Sequence, residues 1–126
     1  MSTLILLNKP YGVISQFSGE TSRNTLAPLI SHKGFYAAGR LDKNSEGLLL
    51  LTDDGKLQNH ITNPRFKMGK TYLVEIEGII DSNALNQLSS GIPLSDGLTK
   101  PATAKKISLP TNLWERYPPV RFRQSI

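Results

Sequence analysis

Apolar residues fall in short runs, each closed by turn-forming residues. Thr3 to Leu7 is apolar and β-prone, and Asn8-Lys9-Pro10-Tyr11-Gly12 turns the chain. Val13 to Phe17 predicts a second strand, followed by a Ser18-Gly19-Glu20 loop. Asn24 or Thr25 caps a short helix that places Leu26, Leu29 and Ile30 on one face, and Gly34 ends the unit. Phe35 to Ala38 leads to Gly39, the residues from Asp42 to Glu46 are too polar to bury, and Gly47 to Thr52 predicts a core strand. Asp53 or Asp54 caps a helix carrying Leu57 and Ile61, and Asn63-Pro64 stops it. Lys70 to Glu77 alternates, with Tyr72, Val74 and Ile76 on one face. Asp81 caps a helix with Ala84, Leu85 and Leu88, and Gly91 closes it. Asp96-Gly97 signals a hairpin, Ala102 to Leu109 predicts a strand, and a basic alternating strand begins at Val120. Strands outnumber helices and join through short turns. The pattern therefore predicts an α+β fold with a mixed, mainly antiparallel sheet and flanking helices.

Composition narrows this picture. At 126 residues one domain is the default, and 38% hydrophobic content supports only a modest core. The longest apolar run, Leu48 to Leu51, falls far short of the roughly 18 residues of a membrane span. The first residues carry no basic, signal-like segment. With no cysteine, disulfide scaffolds, thiolate metal sites and cysteine nucleophiles are excluded, which fits a cytoplasmic protein. Fifteen Lys and Arg against ten Asp and Glu, a net charge of +5, favour a polyanionic partner such as RNA. His32 and His60 are isolated, and no metal-ligand cluster is visible.

The candidate chemistry lies in Gly39-Arg40-Leu41-Asp42-Lys43-Asn44-Ser45-Glu46-Gly47. A carboxylate stands in a polar loop before an apolar strand. On an extended backbone Arg40 and Asp42 point the same way while Leu41 points into the core. A cation beside a carboxylate keeps it ionised, as a carboxylate nucleophile requires. Two plainer readings fit the same residues. One is a surface ion pair. The other is a calcium loop, since Asp42, Asn44, Glu46 and Gly47 occupy EF-hand-like positions; that reading needs a helix on each side of the loop.

The string Gly-Arg-Leu-Asp-x-x-Ser-x-Gly-Leu-Leu-x-x-Thr-x-Asp-Gly, from Gly39 to Gly55, resembles the signature of the RsuA/RluE-type ribosomal-RNA pseudouridine synthases. Leu7-Asn8-Lys9-Pro10-Tyr11-Gly12-Val13, Lys70-Thr71-Tyr72, Leu94-x-Asp96-Gly97 and Pro101-Ala102 are similar to other motifs of that family. The resemblance implies isomerisation of uridine to pseudouridine in ribosomal RNA, of the large subunit by the RluE-like layout, or alternatively in tRNA, without cofactor or metal. It makes Asp42 the nucleophile and Tyr72 an active-site residue that packs on the flipped uracil; the alternation of Tyr72 with Val74 and Ile76 equally allows a core position. Arg40 fills the space left by the flipped base, and Lys9, Lys70, Lys105, Lys106, Arg116, Arg121 and Arg123 are phosphate-contact candidates.

The match also breaks. The family's Arg-Asn-Arg-Gln-x-Arg-Arg motif is not found in these 126 residues, and the expectation, by the RluE-like layout, is a protein without the small N-terminal RNA-binding domain of other members. The expectation is a single partial catalytic domain over residues 1–126, truncated at its C-terminus and weakly active or reduced to an RNA-binding fragment. Its incomplete sheet leaves an open edge for self-association.

Overall fold

Six residues, Leu4–Lys9, form the first strand, β1, and the predicted core strand Gly47–Thr52 forms β3. Between them in sequence lies a short strand, β2, at Tyr36–Ala38. In this computed structural model, residues 2–19 and 24–120 are described. The chain divides into two compact units, Met1–Lys70 and Thr71–Ile126.

In the first unit β3 is central, in the order β1-β3-β2, and both pairings are antiparallel. Register places Ile5 opposite Leu51, Leu7 opposite Leu49 and Ala37 opposite Leu51. Because side chains alternate along a strand, these residues share one face. That face is the core: Leu49 and Leu51 are buried with Leu26, and Ile5, Leu7, Phe17, Ile30, Phe35 and Leu41 pack around them. Each fully buried leucine contributes about 1.5–3 kcal/mol, so β3 anchors the unit. Helix α1, Gly55–Thr62, follows directly. Asp54 caps it, accepting from the Lys56 and Leu57 amides, and Gln58 Nε2 ties it to the Ala37 carbonyl at 3.0 Å. Asn63 ends α1 and caps a 3-10 turn at Pro64–Phe66.

In the second unit Asp81 caps helix α2, Ser82–Ser90, whose end is marked by Gly91, with its amide bonded to the Gln87 carbonyl. A two-residue hairpin follows, β4 at Pro93–Leu94 and β5 at Gly97–Leu98, turning through Ser95-Asp96. The class is α+β, and every strand pairing among the described residues is antiparallel.

Several predicted elements differ. Val13 to Phe17 is not a strand: Ile14 N–H donates to the Asn24 carbonyl and Leu26 N–H to the Gln16 carbonyl, both at 2.8 Å, without a continuous ladder. The predicted helix after Asn24 is a single turn in which the Leu29 and Ile30 amides both return to the Leu26 carbonyl. Pro28 lacks the amide needed to extend it, and the Asn24 carbonyl is already engaged by Ile14. Lys70 to Glu77 carries only an isolated bridge at Ile76, and Ala102 to Leu109 forms no strand. Alternation gives strand character only where a partner offers a ladder. The strand predicted from Val120 onward lies almost wholly outside the described residues.

Candidate active site

The Gly39–Glu46 loop joins β2 to β3 at the end of the sheet where Lys9 pairs with Gly47. Gly39 (φ 97°) and Gly47 (φ 118°) turn the chain into and out of the loop with positive φ that other residues adopt only with strain. Strands flank the loop on both sides, so the pair of helices required for an EF-hand is absent.

The loop backbone is tied down at several points. Ser15 clasps Leu41 from both directions: its hydroxyl donates to the Leu41 carbonyl at 2.9 Å and accepts from the Leu41 amide at 3.0 Å. Leu41 packs on the core, as its place in the pattern predicts. Gly12 N–H donates to the Lys43 carbonyl at 2.8 Å, and the Ser45 amide donates to the Asp42 carbonyl at 3.0 Å. Asp42 is thus an exposed carboxylate on a backbone fixed immediately before and after it.

Lys9 differs from its predicted role as a phosphate contact. It is fully buried. Its ammonium donates to the carbonyls of Val13 (2.6 Å), Pro10 (2.9 Å) and Lys43 (3.3 Å), which engages all three of its donors. In this structure Lys9 therefore holds the loop from beneath and presents nothing to a phosphate. Burial pushes its pKa below 10.5, while the charges of Glu46 and then Asp42 pull it back up.

Arg40 is exposed, and its Nη2 donates to Gln16 Oε1 at 3.3 Å. The predicted pairing of Arg40 with Asp42 is not among the described contacts. Lys70 is exposed at the end of the first unit. Tyr72 belongs to the second unit and is 64% exposed, so it is not a core residue. Lys105 and Lys106 are exposed, whereas the Arg116 guanidinium donates to backbone carbonyls. Arg121 and Arg123 lie outside the described residues. His32 and His60 each pack against a phenylalanine ring, Phe35 and Phe66. Among the described residues no group of three or more His, Asp or Glu is placed to hold a metal ion.

Ser15 and Gln16 are site residues that the sequence reading missed. Their signal was present as polar side chains interrupting the apolar run from Val13 to Phe17.

A clamped Arg-Leu-Asp loop at the end of an antiparallel sheet, in an α+β chain, defines a class in which a carboxylate is presented on a rigid rim. The sequence pattern of the RNA pseudouridylate synthase family matches residues 3–119, and the chain belongs to that family. It is 50% identical to the ribosomal large subunit pseudouridine synthase E of Xanthomonas campestris, covering 98% of this chain and 67% of that protein. It is likewise 50% identical to the protein of the same name from Vibrio parahaemolyticus, covering 98% of this chain and 51% of that one. Ribosomal large subunit pseudouridine synthase B of Bacillus subtilis is 40% identical over 82% of this chain. The crystal structure of a pseudouridylate synthase superposes with a TM-score of 0.72 at 32% identity, over 82% of this chain and 46% of that one. The chain thus spans between half and two thirds of the length of the first two relatives.

Proposed function

We propose that this chain isomerises uridine to pseudouridine in ribosomal RNA of the large subunit, with Asp42 as nucleophile. The observation that carries the reading is an exposed carboxylate on a loop clamped by Ser15, Gly12 and Lys9. Such a group is pre-placed, which keeps the cost of orienting the reacting atoms low. The reaction breaks the bond from C1′ to N1, turns the uracil, and joins C1′ to C5. The C5 proton leaves to solvent and N1 takes one up, so the change is redox-neutral. Asp42 attacks the sugar or the base and holds the two halves together between these steps.

The target nucleotide leaves its stack to reach Asp42. Arg40, which among the described residues donates to the Gln16 side-chain amide, swings to fill the vacated space, where its planar guanidinium both stacks and binds phosphate. The exposed ring of Tyr72 packs on the flipped uracil. Lys70, Arg121 and Arg123 serve the phosphates, which gives affinity rather than base choice. The reading places the protein in the cytoplasm with the ribosome. It also includes self-association through β1, an outer strand of its sheet that exposes Leu4 and Leu6.

The test is to map pseudouridine in ribosomal RNA from cells with the gene, without it, and with Asp42→Ala in its place. Loss of the same position in the last two supports the reading. An unchanged map, or a lost position in tRNA instead, overturns it. A chain that only binds RNA leaves the map unchanged in all three.

A further inference from the structure

We propose that the turn from Asn63 to Lys70, at the end of α1, is a phosphate-binding surface for the RNA strand flanking the nucleotide at Asp42; the inference rests on RNA being the substrate. Its cations are Arg65 and Lys67, continued by Lys70. All three are exposed, and among the described residues none of them meets a carboxylate. From Gly55 to Val74 the chain has Lys56, Arg65, Lys67 and Lys70 and no Asp or Glu. That stretch therefore carries +4 of the chain's net charge of +5, with no acidic neighbour in sequence to offset it.

The turn is fixed to the helix that precedes it. The Asn63 amide donates to the Asn59 carbonyl at 2.9 Å and closes α1. Its side-chain Oδ1 accepts from the Arg65 amide at 3.0 Å. The Phe66 and Lys67 amides donate to the Asn63 and Pro64 carbonyls at 3.0 and 3.1 Å. The Phe66 ring lies against His60 of α1, with ring centroids 4.4 Å apart, so side chains fasten the turn as well. Lys67 has φ 50° and is the one non-glycine residue with positive φ among the described residues. Glycine takes that left-handed conformation freely, whereas a lysine is strained there. A charge needed only for solubility could stand at any neighbouring position. Strain kept at one position points to a ligand for the side chain it carries.

The place of the turn indicates which ligand. Thr62, the last residue of α1, lies beside Gly39: a Cβ placed on Gly39 would sit 3.9 Å from its methyl carbon. The turn thus leaves α1 next to the start of the Asp42 loop, in the same compact unit. RNA seated at Asp42 has its backbone within reach of these cations. An arginine takes a phosphate through its planar fork and a lysine takes it as a point charge. Such contacts give affinity and register, not base choice.

The 126-residue chain and its variants are titrated with a fluorescein-labelled RNA stem-loop at several salt concentrations, with binding read by anisotropy. Lys67→Gly relieves the left-handed lysine, so its thermal midpoint should equal or exceed that of wild type while RNA affinity falls about threefold or more. The slope of log affinity against log salt should flatten by about one, and by about two when Arg65→Gln is added. Lys33→Gln, at an exposed lysine of the same unit outside the turn, should keep the wild-type slope. Unchanged affinity and slope in Lys67→Gly, or an equal loss in Lys33→Gln, overturns the proposal. So does a loss of polyglutamate affinity in Lys67→Gly as large as the loss of RNA affinity, which would assign the turn to an acidic protein. The two readings fail separately. If uridine is converted and Lys67→Gly binds RNA like wild type, the surface falls and the function stands. If Lys67→Gly lowers affinity and slope but no uridine is converted, the surface stands and the function falls.

Discussion

The loop at Asp42 depends on a buried cation that contributes no surface charge. Lys9→Met would leave the carbonyls of Pro10, Val13 and Lys43 without the ammonium. Losing the ammonium's bonds to Pro10 and Val13, while the Lys43 carbonyl keeps the Gly12 amide, makes a loss of roughly 1–3 kcal/mol in urea unfolding the expected outcome. A pH effect accompanies it. Burial places the folded pKa of Lys9 below its unfolded value of 10.5, so between the two values the unfolded chain holds a proton the folded chain has released. Stability contributed by Lys9 should therefore rise as pH climbs through that window, and Lys9→Met should flatten the alkaline limb. At this scale the sequence made the loop from Gly39 to Gly47 and the family legible, because the spacing of Gly39, Asp42, Ser45 and Gly47 is part of a long and specific pattern. It could not reveal Lys9, since a lysine in a turn ordinarily faces solvent and only the fold brings three carbonyls around it. The same limit hid the Arg40–Gln16 contact, which spans 24 positions.

Among the elements, α1 shows how local chemistry sets both structure and pH response. The Ser2 hydroxyl, then the Leu57 and Lys56 amides, hold the Asp54 carboxyl below its usual 3.8. A depressed carboxyl contributes stability above its unfolded pKa and loses it as pH falls through the folded value. Asp54→Asn should thus weaken the acid dependence of unfolding, measured as urea midpoint against pH below neutrality. Caps, β3, α1, α2 and the existence of the hairpin were legible because each is written in adjacent residues, Asp54, Asp81, Asn63-Pro64 and Asp96-Gly97, although the turn itself falls one residue earlier, at Ser95-Asp96. The segments at 13–17, 70–77 and 102–109 were misread because alternation alone does not supply a partner strand. The first of these serves the site through its side chains instead. Ser15→Ala removes both bonds to Leu41 and frees the backbone that carries Asp42. Uridine conversion should fall roughly ten- to hundredfold with little change in RNA affinity, since a shift of about 1 Å in a reacting group costs on that order. Single-turnover assays beside RNA titrations would check this split.

For the molecule as a whole, net charge and sheet edge decide how it meets other macromolecules. A charge of +5 favours RNA, and binding should weaken with added salt as counterions are released. The outer edge of β1, with Leu6 66% exposed, favours pairing of copies. Sedimentation should show concentration-dependent association that Leu6→Lys abolishes, without loss of the folded state. The central claim, that Asp42 attacks the nucleotide, is tested most directly with RNA tritiated at uridine C5, since joining C5 to C1′ must expel that hydrogen. The 126-residue chain should release tritium to water, and Asp42→Asn, nearly isosteric and without a nucleophilic carboxylate, should release none while binding the RNA equally well. Tritium release by Asp42→Asn at the wild-type rate would contradict the account.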